Sequence, residues 1–517
     1  MDVILAGLNV DAELLREFPE LLERARQALA PDAAAADRAA LAAELAALAE
    51  RRNLTPETLS AAYARISRDP RPAPELRAAA RAEVDRARRS NETIIFGLGH
   101  ASVAEHAVFN LDVLGISRLA AEFVERFRLC SYTEKSQRYI TLTGDYVTPV
   151  EVLGTPLEAE FHALVARQVA FYHRCYGKLA EYFPTLHPEL AGAKDGRRTL
   201  DGWAKEDARY GLSLATETQL GLTANARNLE RIIQAAAAHP LGEVREYGDR
   251  LRRAVGGIAP SLIKYTEPAA HHRLDLPLTR ERLRAAAAEA EAPEPAGAAA
   301  ACRVVDDTGL DETPVWAALM HEAGGLSAAA SRRWAETAGA AEKRTLLAGL
   351  VEHLPPWQSL PRAFELAAAT FECVVSASCF AQLKRHRMGT LIPQDYDPRL
   401  GVTVPASVAA VDEAAALREL ADASAVTAGR IGALAPPAAA YALTNANRRR
   451  VLFRVSVREL AHFARLRLDE HAQWDIRELA GAMMAAVRPR LPLFGELLCA
   501  KTDLAAACRR LADPAAE

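Results

Sequence analysis

The chain has 517 residues, half of them hydrophobic and a quarter charged, and a formal net charge of -4. This composition is typical of a globular protein of two or three domains, and it excludes a disordered or fibrous chain and one that wraps nucleic acid. The seven scattered cysteines form no CxxC pair, the N-terminus is acidic, and no apolar run approaches about 20 residues. These features predict a cytoplasmic protein without disulfides, zinc ribbons or a membrane partner.

The first ninety residues are rich in Ala, Leu, Glu and Arg and predict helices. The segment from Ile94 to Tyr139 differs, because His, Arg, Ser and aromatic residues are crowded there. From Ala285 to Ala301 the residues are Ala, Glu and Pro with one Gly, which predicts an exposed helix followed by a linker. The predicted organisation is a first half over 1–283 with a helical N-terminal extension, a linker over 284–301 and a second half over 302–517.

One pattern occurs twice along the chain. Phe109–Arg128 (FNLDVLGISRLAAEFVERFR) and Phe371–Arg387 (FECVVSASCFAQLKRHR) are each an apolar, strand-compatible run that leads into a helix ending in Arg-x-Arg. Asn225–Arg231 (NARNLER) and Ser456–His462 (SVRELAH) then follow in the same order. The shared order predicts two diverged copies of one fold. A chance match of short helical patterns is the alternative.

The segment Arg126–Tyr139 (RFRLCSYTEKSQRY) carries the most chemistry. It is a helix end followed by a hydroxyl-rich turn with several arginines and a glutamate. Guanidinium forks and Ser hydroxyls suit multidentate capture of a phosphate or a carboxylate. A solvated, ion-paired helix end is the alternative, since clusters of surface charge are common.

This segment resembles the signature of the flavin-dependent thymidylate synthases, RHR-x-x-S-x-N-E-x-S-x-R-Y. The residues that match in register are Arg126, Arg128, Ser131, Glu134, Ser136, Arg138 and Tyr139. Phe127 and Thr133 replace the family's His and Asn. Upstream, Gly99–His106 (GHASVAEH) resembles the family's flavin-side stretch G-H-x-[ST]-x-x-E-H. We predict no metal site at its two histidines, because their spacing is not that of helical ligands and no third ligand follows.

The second half resembles the same family through other residues. Gln382–Arg387 (QLKRHR) keeps the RHR motif and the Gln before it, but its continuation has lost the N-E-x-S-x-R-Y loop. Near the C-terminus, Leu466–Ile476 (LRLDEHAQWDI) matches the family's helix L-R-x-x-x-H-A-Q-W-E-I. Without the resemblance this stretch is an amphipathic helix, with Arg467 as a surface cation.

The two halves have lost complementary parts of the family's site. The family's nucleotide-binding Arg falls on Arg209 in the first half and on Ala440 in the second. Its substrate-activating Arg falls on Arg467 in the second half and on Ala236 in the first, and its Gln survives only as Gln382. Family members build each active site between subunits of a tetramer. The resemblance therefore implies one composite site per pair of halves, with the mirror site abandoned.

The resemblance implies a fused, two-copy thymidylate synthase, a methyltransferase that converts dUMP to dTMP with FAD, NADPH and methylenetetrahydrofolate. The fold class would be α/β (α+β), with long helices packed on a curved antiparallel sheet in each copy. The chain would form a homodimer that imitates the family's tetramer. The alternatives are a non-catalytic flavin- or nucleotide-binding scaffold derived from the family, and an enzyme that modifies another pyrimidine nucleotide.

The resemblance also implies roles for single residues. The residue expected to be catalytic is Arg467, which would stabilise negative charge developing on the pyrimidine. The residues expected to bind substrate are Glu134, Ser136, Gln137, Arg138, Arg209, Gln382 and Arg385. The residues expected to bind FAD are His100, Ser102, Glu134, Asn225, Arg227, Arg385, His386, Arg387, His462 and His471. No residue is expected to bind a metal.

Overall fold

A computed structural model gives the fold over residues 1–28, 54–290 and 301–513 and at isolated positions between 30 and 43. The strands are β1 (Asp2–Leu8), β2 (Val108–Ser117), β3 (Ser131–Glu134), β4 (Glu217–Asn225), β5 (Cys302–Asp306), β6 (Ala368–Ser376), β7 (Thr390–Pro393) and β8 (Arg448–Ser456). The α-helices of the described residues are α1 (Ala12–Ala28), α2 (Glu57–Arg65), α3 (Ala73–Ala82), α4 (Val84–Glu92), α5 (Arg118–Glu125), α6 (Leu157–Leu186), α7 (Pro188–Ala191), α8 (Lys194–Ala208), α9 (Ala226–Ala237), α10 (Gly242–Gly256), α11 (Leu276–Ala290), α12 (Thr313–Glu322), α13 (Ala328–Thr337), α14 (Ala340–Val351), α15 (Ala377–Leu383), α16 (Ala406–Ala410), α17 (Ala414–Leu434), α18 (Val457–Arg467), α19 (Trp474–Val487) and α20 (Leu504–Ala512). Short 3₁₀ or π turns lie at Thr93–Gly97, Ala101–His106, Arg209–Gly211, His271–Asp275, Arg362–Leu366, Pro398–Leu400, Pro436–Ala442, Arg488–Arg490 and Phe494–Leu497.

The chain folds into two compact units whose boundaries differ from those of the two sequence halves. The first unit consists of Met1–Lys135 and Glu217–Glu291, and the second of Ser136–Thr216 and Ala292–Glu517. The segment Ser136–Thr216, with helices α6 to α8, therefore packs with the C-terminal half of the chain. The division into halves at 284–301 stays a prediction about the duplication. The predicted exposed helix lies in α11, and residues 291–300 of the predicted linker lie outside the described residues.

Each unit contains a four-stranded antiparallel sheet, and the two sheets have the same strand order. The orders are β1-β2-β4-β3 and β5-β6-β8-β7. At corresponding ends of the central pairs, Val108 pairs with Asn225 and Ala368 pairs with Ser456. Asn225 and Ser456 then cap the helix that follows, since each side chain accepts a hydrogen bond from a backbone N–H three residues on. The α/β (α+β) fold class with antiparallel sheets is confirmed, and the common topology fits two copies of one fold.

The strand pattern follows from alternation along the sequence. In β2 the side chains of Phe109, Leu111 and Val113 are buried, while the residues between them face outward. The alternation shifts at Gly115, where a bulge interrupts the pairing with β4 and the φ angle is +66°. Glycine suits this bulge because a Cβ atom there would lie 3.2 Å from the backbone of Met1.

Two apolar clusters lie among the described residues of the second unit. In one cluster Phe371 and Phe453 of the sheet pack with Phe463 of α18. The other joins helices of the two sequence halves, since Tyr172 of α6 and Leu417 of α17 belong to it. The second cluster explains why Ser136–Thr216 belongs to this unit. Among the described residues, no helix is both long and apolar enough to cross a membrane.

Candidate active site

The second unit brings together predicted site residues from both halves of the chain. Arg138 lies in the loop before α6, and Arg209 begins the turn after α8. The Nη2 atom of Arg138 donates a hydrogen bond to the backbone oxygen of His471 at 3.3 Å. The Nδ2 atom of Asn445 donates to the side-chain oxygen of Gln137 at 3.3 Å and to the backbone oxygen of Arg209 at 3.0 Å. Residues from the two halves therefore share one unit of one chain.

Buried polar contacts anchor the end of α8 to the start of α19. The Tyr210 hydroxyl accepts a hydrogen bond from Nε2 of Gln473 at 2.8 Å and donates one to Asp475 at 2.8 Å. The indole Nε1 of Trp474 donates to Asp207 at 2.8 Å. The rings of Tyr210 and Trp474 stack with their centroids 5.7 Å apart. These contacts hold the turn after α8 against the HAQWD motif that follows α18.

Arg467, at the last position of α18, is held through all three guanidinium nitrogens. Its Nε donates to Nε2 of His386 at 2.9 Å. Its Nη1 and Nη2 donate to the side-chain and backbone oxygens of Gln382, at 3.3 and 3.4 Å. The Gln382 amide in turn donates to Oε1 of Gln473 at 3.1 Å. The guanidinium group therefore has a defined position and no carboxylate among these partners.

Positive charge accumulates around Arg467. Burial, and then the charges of Arg385 and Arg138, lower the pKa of Arg467 to about 10. The group stays protonated at neutral pH, but its charged form is disfavoured by its surroundings. An anionic ligand, or negative charge developing on a ligand, would relieve that repulsion.

Two adjacent carboxyl groups at the end of α8 balance part of this charge. Glu206 forms an ion pair with Arg138. Burial raises the pKa of Glu206, although the charges of Arg138 and Arg209 lower it. Burial likewise raises the pKa of Asp207 to about 6, against hydrogen bonds from its neighbours. Glu206 is therefore a carboxyl partner that the protein itself supplies to Arg138, and an incoming phosphate would share or replace it.

The residues expected to bind FAD from the second half differ in exposure. Arg385, His462 and His471 are exposed, and Arg387 is half-buried. His386 is only 3 % exposed. The two arginines and two exposed imidazoles are accessible to a ligand, whereas the ring of His386 lies inside the protein.

The other residues expected to bind FAD lie in the first unit. His100 and Ser102 are exposed, at the start of the turn Ala101–His106. Asn225 caps α9, and Arg227 forms an ion pair with Glu105. Asn225 and Arg227 thus have partners within the protein, whereas His100 and Ser102 are open to solvent.

Glu134 and Ser136 belong to different units. Glu134, at the end of β3 in the first unit, is buried and forms an ion pair with Arg118. Burial alone would lower the pKa of Arg118, but the charge of Glu134 raises it. Ser136 belongs to the second unit, where its hydroxyl accepts a hydrogen bond from the backbone N–H of Arg138 at 3.1 Å. Glu134 thus has a structural partner, and Ser136 shapes the loop that carries Arg138.

Within the described part of the chain, one group has the spacing of metal ligands. The ligand atoms of His386, Glu459 and His462 lie within 4.8 Å of one another. Both ring nitrogens of His386 already have partners, because Nδ1 lies 3.2 Å from Glu459 and Nε2 accepts from Arg467. The charges of Arg467 and Arg458 also oppose a cation. The geometry suits a chain of hydrogen bonds better than a metal site.

Sequence reasoning missed Glu206, Asp207, Tyr210 and Glu459. The first three end a helix or begin the turn after it, and the two acids look like surface charges in the sequence. Their partners include Trp474 and Asp475, which lie far away in the chain. Glu459 left a local signal, since it precedes His462 by three residues and so shares a helix face with it.

Comparison with known proteins gives the family. The model of the family described as "Thymidylate synthase complementing protein" matches residues 51–261 and 303–493. The flavin-dependent thymidylate synthase of Geobacter sulfurreducens is 33% identical over 180 residues, which are 34% of this chain and 67% of that protein. The enzyme of Clostridium tetani is 28% identical over 178 residues, 34% of this chain and 69% of that protein.

A solved structure, a flavin-dependent thymidylate synthase from Helicobacter pylori complexed with FAD and dUMP, aligns at 16% identity and a TM-score of 0.26. That alignment covers 52% of this chain and 100% of the other. The family match covers most of both halves, one after the other. The chain therefore belongs to the thymidylate synthase complementing protein family, as a member with two copies in tandem.

Proposed function

We propose that the chain is a flavin-dependent thymidylate synthase that converts dUMP to dTMP in one composite site per chain. The observation that carries the proposal is the arrangement of the second unit. There Arg138 and Arg209 of the first half lie in one compact body with Gln382 and Arg467 of the second half. The names of the matched relatives support the same activity.

The nucleotide would be held at its phosphate and activated at its base. Ser136, Arg138 and Arg209 offer a hydroxyl and two guanidinium groups, which bind a phosphate through charge-assisted hydrogen bonds. Arg467 would face the pyrimidine and stabilise the negative charge that develops at N3 or O2 during the reaction. Gln382 would hold the Arg467 guanidinium in place, since it accepts from two of its nitrogens.

The donor set of the second unit fits FAD. Arg385 and Arg387 offer guanidinium groups suited to a pyrophosphate, and His462 and His471 offer exposed imidazoles. When bound, FAD supplies the hydride that reduces the transferred carbon to a methyl group. In the first unit, His100, Ser102, Glu134, Asn225 and Arg227 remain proposed cofactor contacts on the basis of the family resemblance.

We also propose the remaining partners from that resemblance. Methylenetetrahydrofolate would donate the carbon and NADPH would reduce the flavin, which makes the enzyme a methyltransferase. Two chains would form a homodimer of four family-like copies in the cytoplasm.

The test is deuterium release from 5-deuterated dUMP by the purified protein with FAD, NADPH and methylenetetrahydrofolate. We expect release by the wild type and a strong loss in the Arg467→Ala variant. Binding of FAD and dUMP without release would favour the scaffold. Release from 5-deuterated UMP at an equal or higher rate would favour the other pyrimidine substrate.

A further inference from the structure

Arg467 is the end of a three-residue chain of hydrogen bonds in the second unit. The Arg467 Nε donates to Nε2 of His386 at 2.9 Å, and Nδ1 of the same ring lies 3.2 Å from Oε1 of Glu459. The ring is 3 % exposed. We infer that Glu459 is a positioning residue for Arg467 and acts through His386. The inference rests on the proposed function for the importance of Arg467, but the hydrogen-bond chain can be tested without it.

The chemistry of the three groups allows one arrangement of protons. A guanidinium Nε always carries hydrogen, so Nε2 of His386 must accept. The ring is then neutral, with its proton on Nδ1, and that N–H donates to the Glu459 carboxylate. Burial, followed by the charges of Arg467 and His462, holds the pKa of His386 well below its usual range. A neutral ring with this tautomer presents its lone pair to Arg467.

Glu459 selects the tautomer. Without a carboxylate beside Nδ1, the proton could move to Nε2, and the ring would then face the Arg467 Nε–H with another N–H. Arg467 would keep only its bonds to Gln382, both of which are longer than the bond to His386. A guanidinium that must meet charge developing on a pyrimidine loses effect when its position is loose.

The first half of the chain supplies a natural comparison. Counted from the helix caps Asn225 and Ser456, Glu459 corresponds to Asn228 and Arg467 to Ala236. Within the two Arg-x-Arg motifs, His386 corresponds to Phe127. The side chain of Asn228 donates instead to its own helix cap, at 2.9 Å.

Glu459, His386 and Arg467 are thus all replaced in the first half, which lacks the substrate-activating Arg. A carboxylate needed only to stabilise the helix would be useful in both copies, since both helices follow the same strand and the same type of cap. The joint replacement is the pattern expected of residues that serve Arg467.

The first experiment compares Glu459→Ala, Glu459→Gln and the control Glu336→Ala in the holoenzyme, with kcat and the dUMP Kd as readouts. Glu336 is an exposed glutamate of the second unit whose described partner is Arg332. We expect Glu459→Ala to lower kcat about tenfold or more while the dUMP Kd changes less than about twofold. Glu459→Gln should recover most of kcat, because its amide oxygen still accepts from Nδ1–H. Wild-type kcat in Glu459→Ala would overturn the inference.

A double-mutant cycle tests whether the residues act in series. The variant His386→Phe copies the first half, and it should lower kcat at least as much as Glu459→Ala. The double variant should be no worse than His386→Phe alone, since the carboxylate acts through the ring. If the loss of kcat in the double variant equals the product of the two single losses, Glu459 does not act through His386.

The tautomer gives a readout that needs no turnover. In protein labelled with ¹⁵N-histidine, the His386 signals should report a proton on Nδ1, and Glu459→Ala should shift them toward the other tautomer. Assignment comes from the signals that vanish in His386→Phe. An unchanged tautomer in Glu459→Ala would refute the inference even if the protein proved inactive. A normal tautomer response in a protein without deuterium release would instead count against the proposed function alone.

Discussion

Two arginines of the second unit, Arg138 and Arg467, have different kinds of partner. Arg138 already has a carboxylate partner in Glu206, whereas the described partners of Arg467 are the neutral side chains of His386 and Gln382. A phosphate can exchange with a carboxylate at Arg138. Arg467 has no anion to release, and so its charge is available when negative charge appears on the substrate.

This difference predicts that substitutions of the two arginines affect different quantities, dUMP binding for Arg138 and kcat for Arg467. Arg138→Ala should weaken dUMP binding by roughly 10- to 150-fold, since a hydrogen bond to a charged group is worth about 1.5–3 kcal/mol. Arg467→Ala should lower kcat more than it weakens binding, because its interaction strengthens in the transition state. Calorimetric titration and steady-state rates measure the two effects. Arg253→Ala, an exposed arginine of α10 paired with Asp249, is the matched control. Full activity in Arg467→Ala would remove the basis of the composite site.

Asp207 gives a prediction about pH and stability. Its folded-state pKa of about 6 lies above the ordinary 3.8, so the folded protein binds this proton more tightly than the unfolded chain. The contribution of Asp207 to stability is therefore greatest in acid and is lost as the pH rises through about 4 to 6. Above that range the ionised Asp207 carboxylate destabilises the folded protein by on the order of 3 kcal/mol.

The variant Asp207→Asn should remove this dependence. The melting temperature of Asp207→Asn minus that of the wild type should be a few degrees larger at pH 8 than at pH 5. Scanning calorimetry at the two pH values gives the comparison, and Asp249→Asn on the surface is the control. An equal difference at both pH values would mean that Asp207 does not titrate as its burial indicates.

Some residues of the candidate site could be predicted from the sequence and others could not. The signature from Arg126 to Tyr139 and the RHR motif stand out because their residue types are unusual beside alanine-rich helices. Glu206 and Asp207 do not stand out, since acids near a helix end are common on surfaces. Their partners Arg138, Ser407 and Trp474 come from other segments of the chain, and contacts of this kind leave no local signal in the sequence.

The turn that follows the RHR motif packs closely against β8. After this motif the chain turns at Gly389 into β7, which pairs with β8. A Cβ atom on Gly389 would lie 2.2 Å from a ring carbon of Phe453 and 3.2 Å from the backbone oxygen of Arg454. The missing side chain therefore lets the turn lie directly on β8.

Gly389→Ala should force Phe453 or the turn to move and destabilise the protein by about 1–3 kcal/mol. The turn carries Arg387, a proposed contact of FAD, so the FAD affinity should fall as well. Melting temperature and flavin fluorescence measure the two losses. Gly429→Ala, inside α17 with no atom within 4 Å, should instead be neutral or stabilising. Equal behaviour of the two variants would contradict the close approach.

At the level of elements, the repeated blocks predicted a repeated topology. Each block begins with an apolar strand and ends in a capped helix, and this alternation is a local property. The partner of α6 was not predictable in the same way. Its buried residues Phe171 and Tyr172 indicate an apolar face, but nothing in their spacing shows that α17, more than 200 residues later, covers it.

For the whole molecule we predict a homodimer with one nucleotide site per chain. The family resemblance implies an assembly of four copies, and a two-copy chain needs a second chain to supply them. Light scattering at micromolar concentration should report two chains, and dUMP should saturate at one equivalent per chain. Restoring arginine at Ala236 or Ala440 should not add a second equivalent, because the rest of the mirror site is missing. A stable monomer or two equivalents per chain would contradict this assembly.

The segment Ser136–Thr216 has a consequence for how the gene can be divided. A polypeptide over 301–517 would lack α6, and with it the amide of Gln168 that donates to Ser424 at 3.0 Å and to the backbone oxygen of Ala442 at 2.9 Å. It would also expose the apolar face of α17 to water. Such a fragment should be insoluble when expressed alone and become soluble when 1–290 is expressed beside it. The two gene segments would then behave as a split protein, in which neither product is useful without the other.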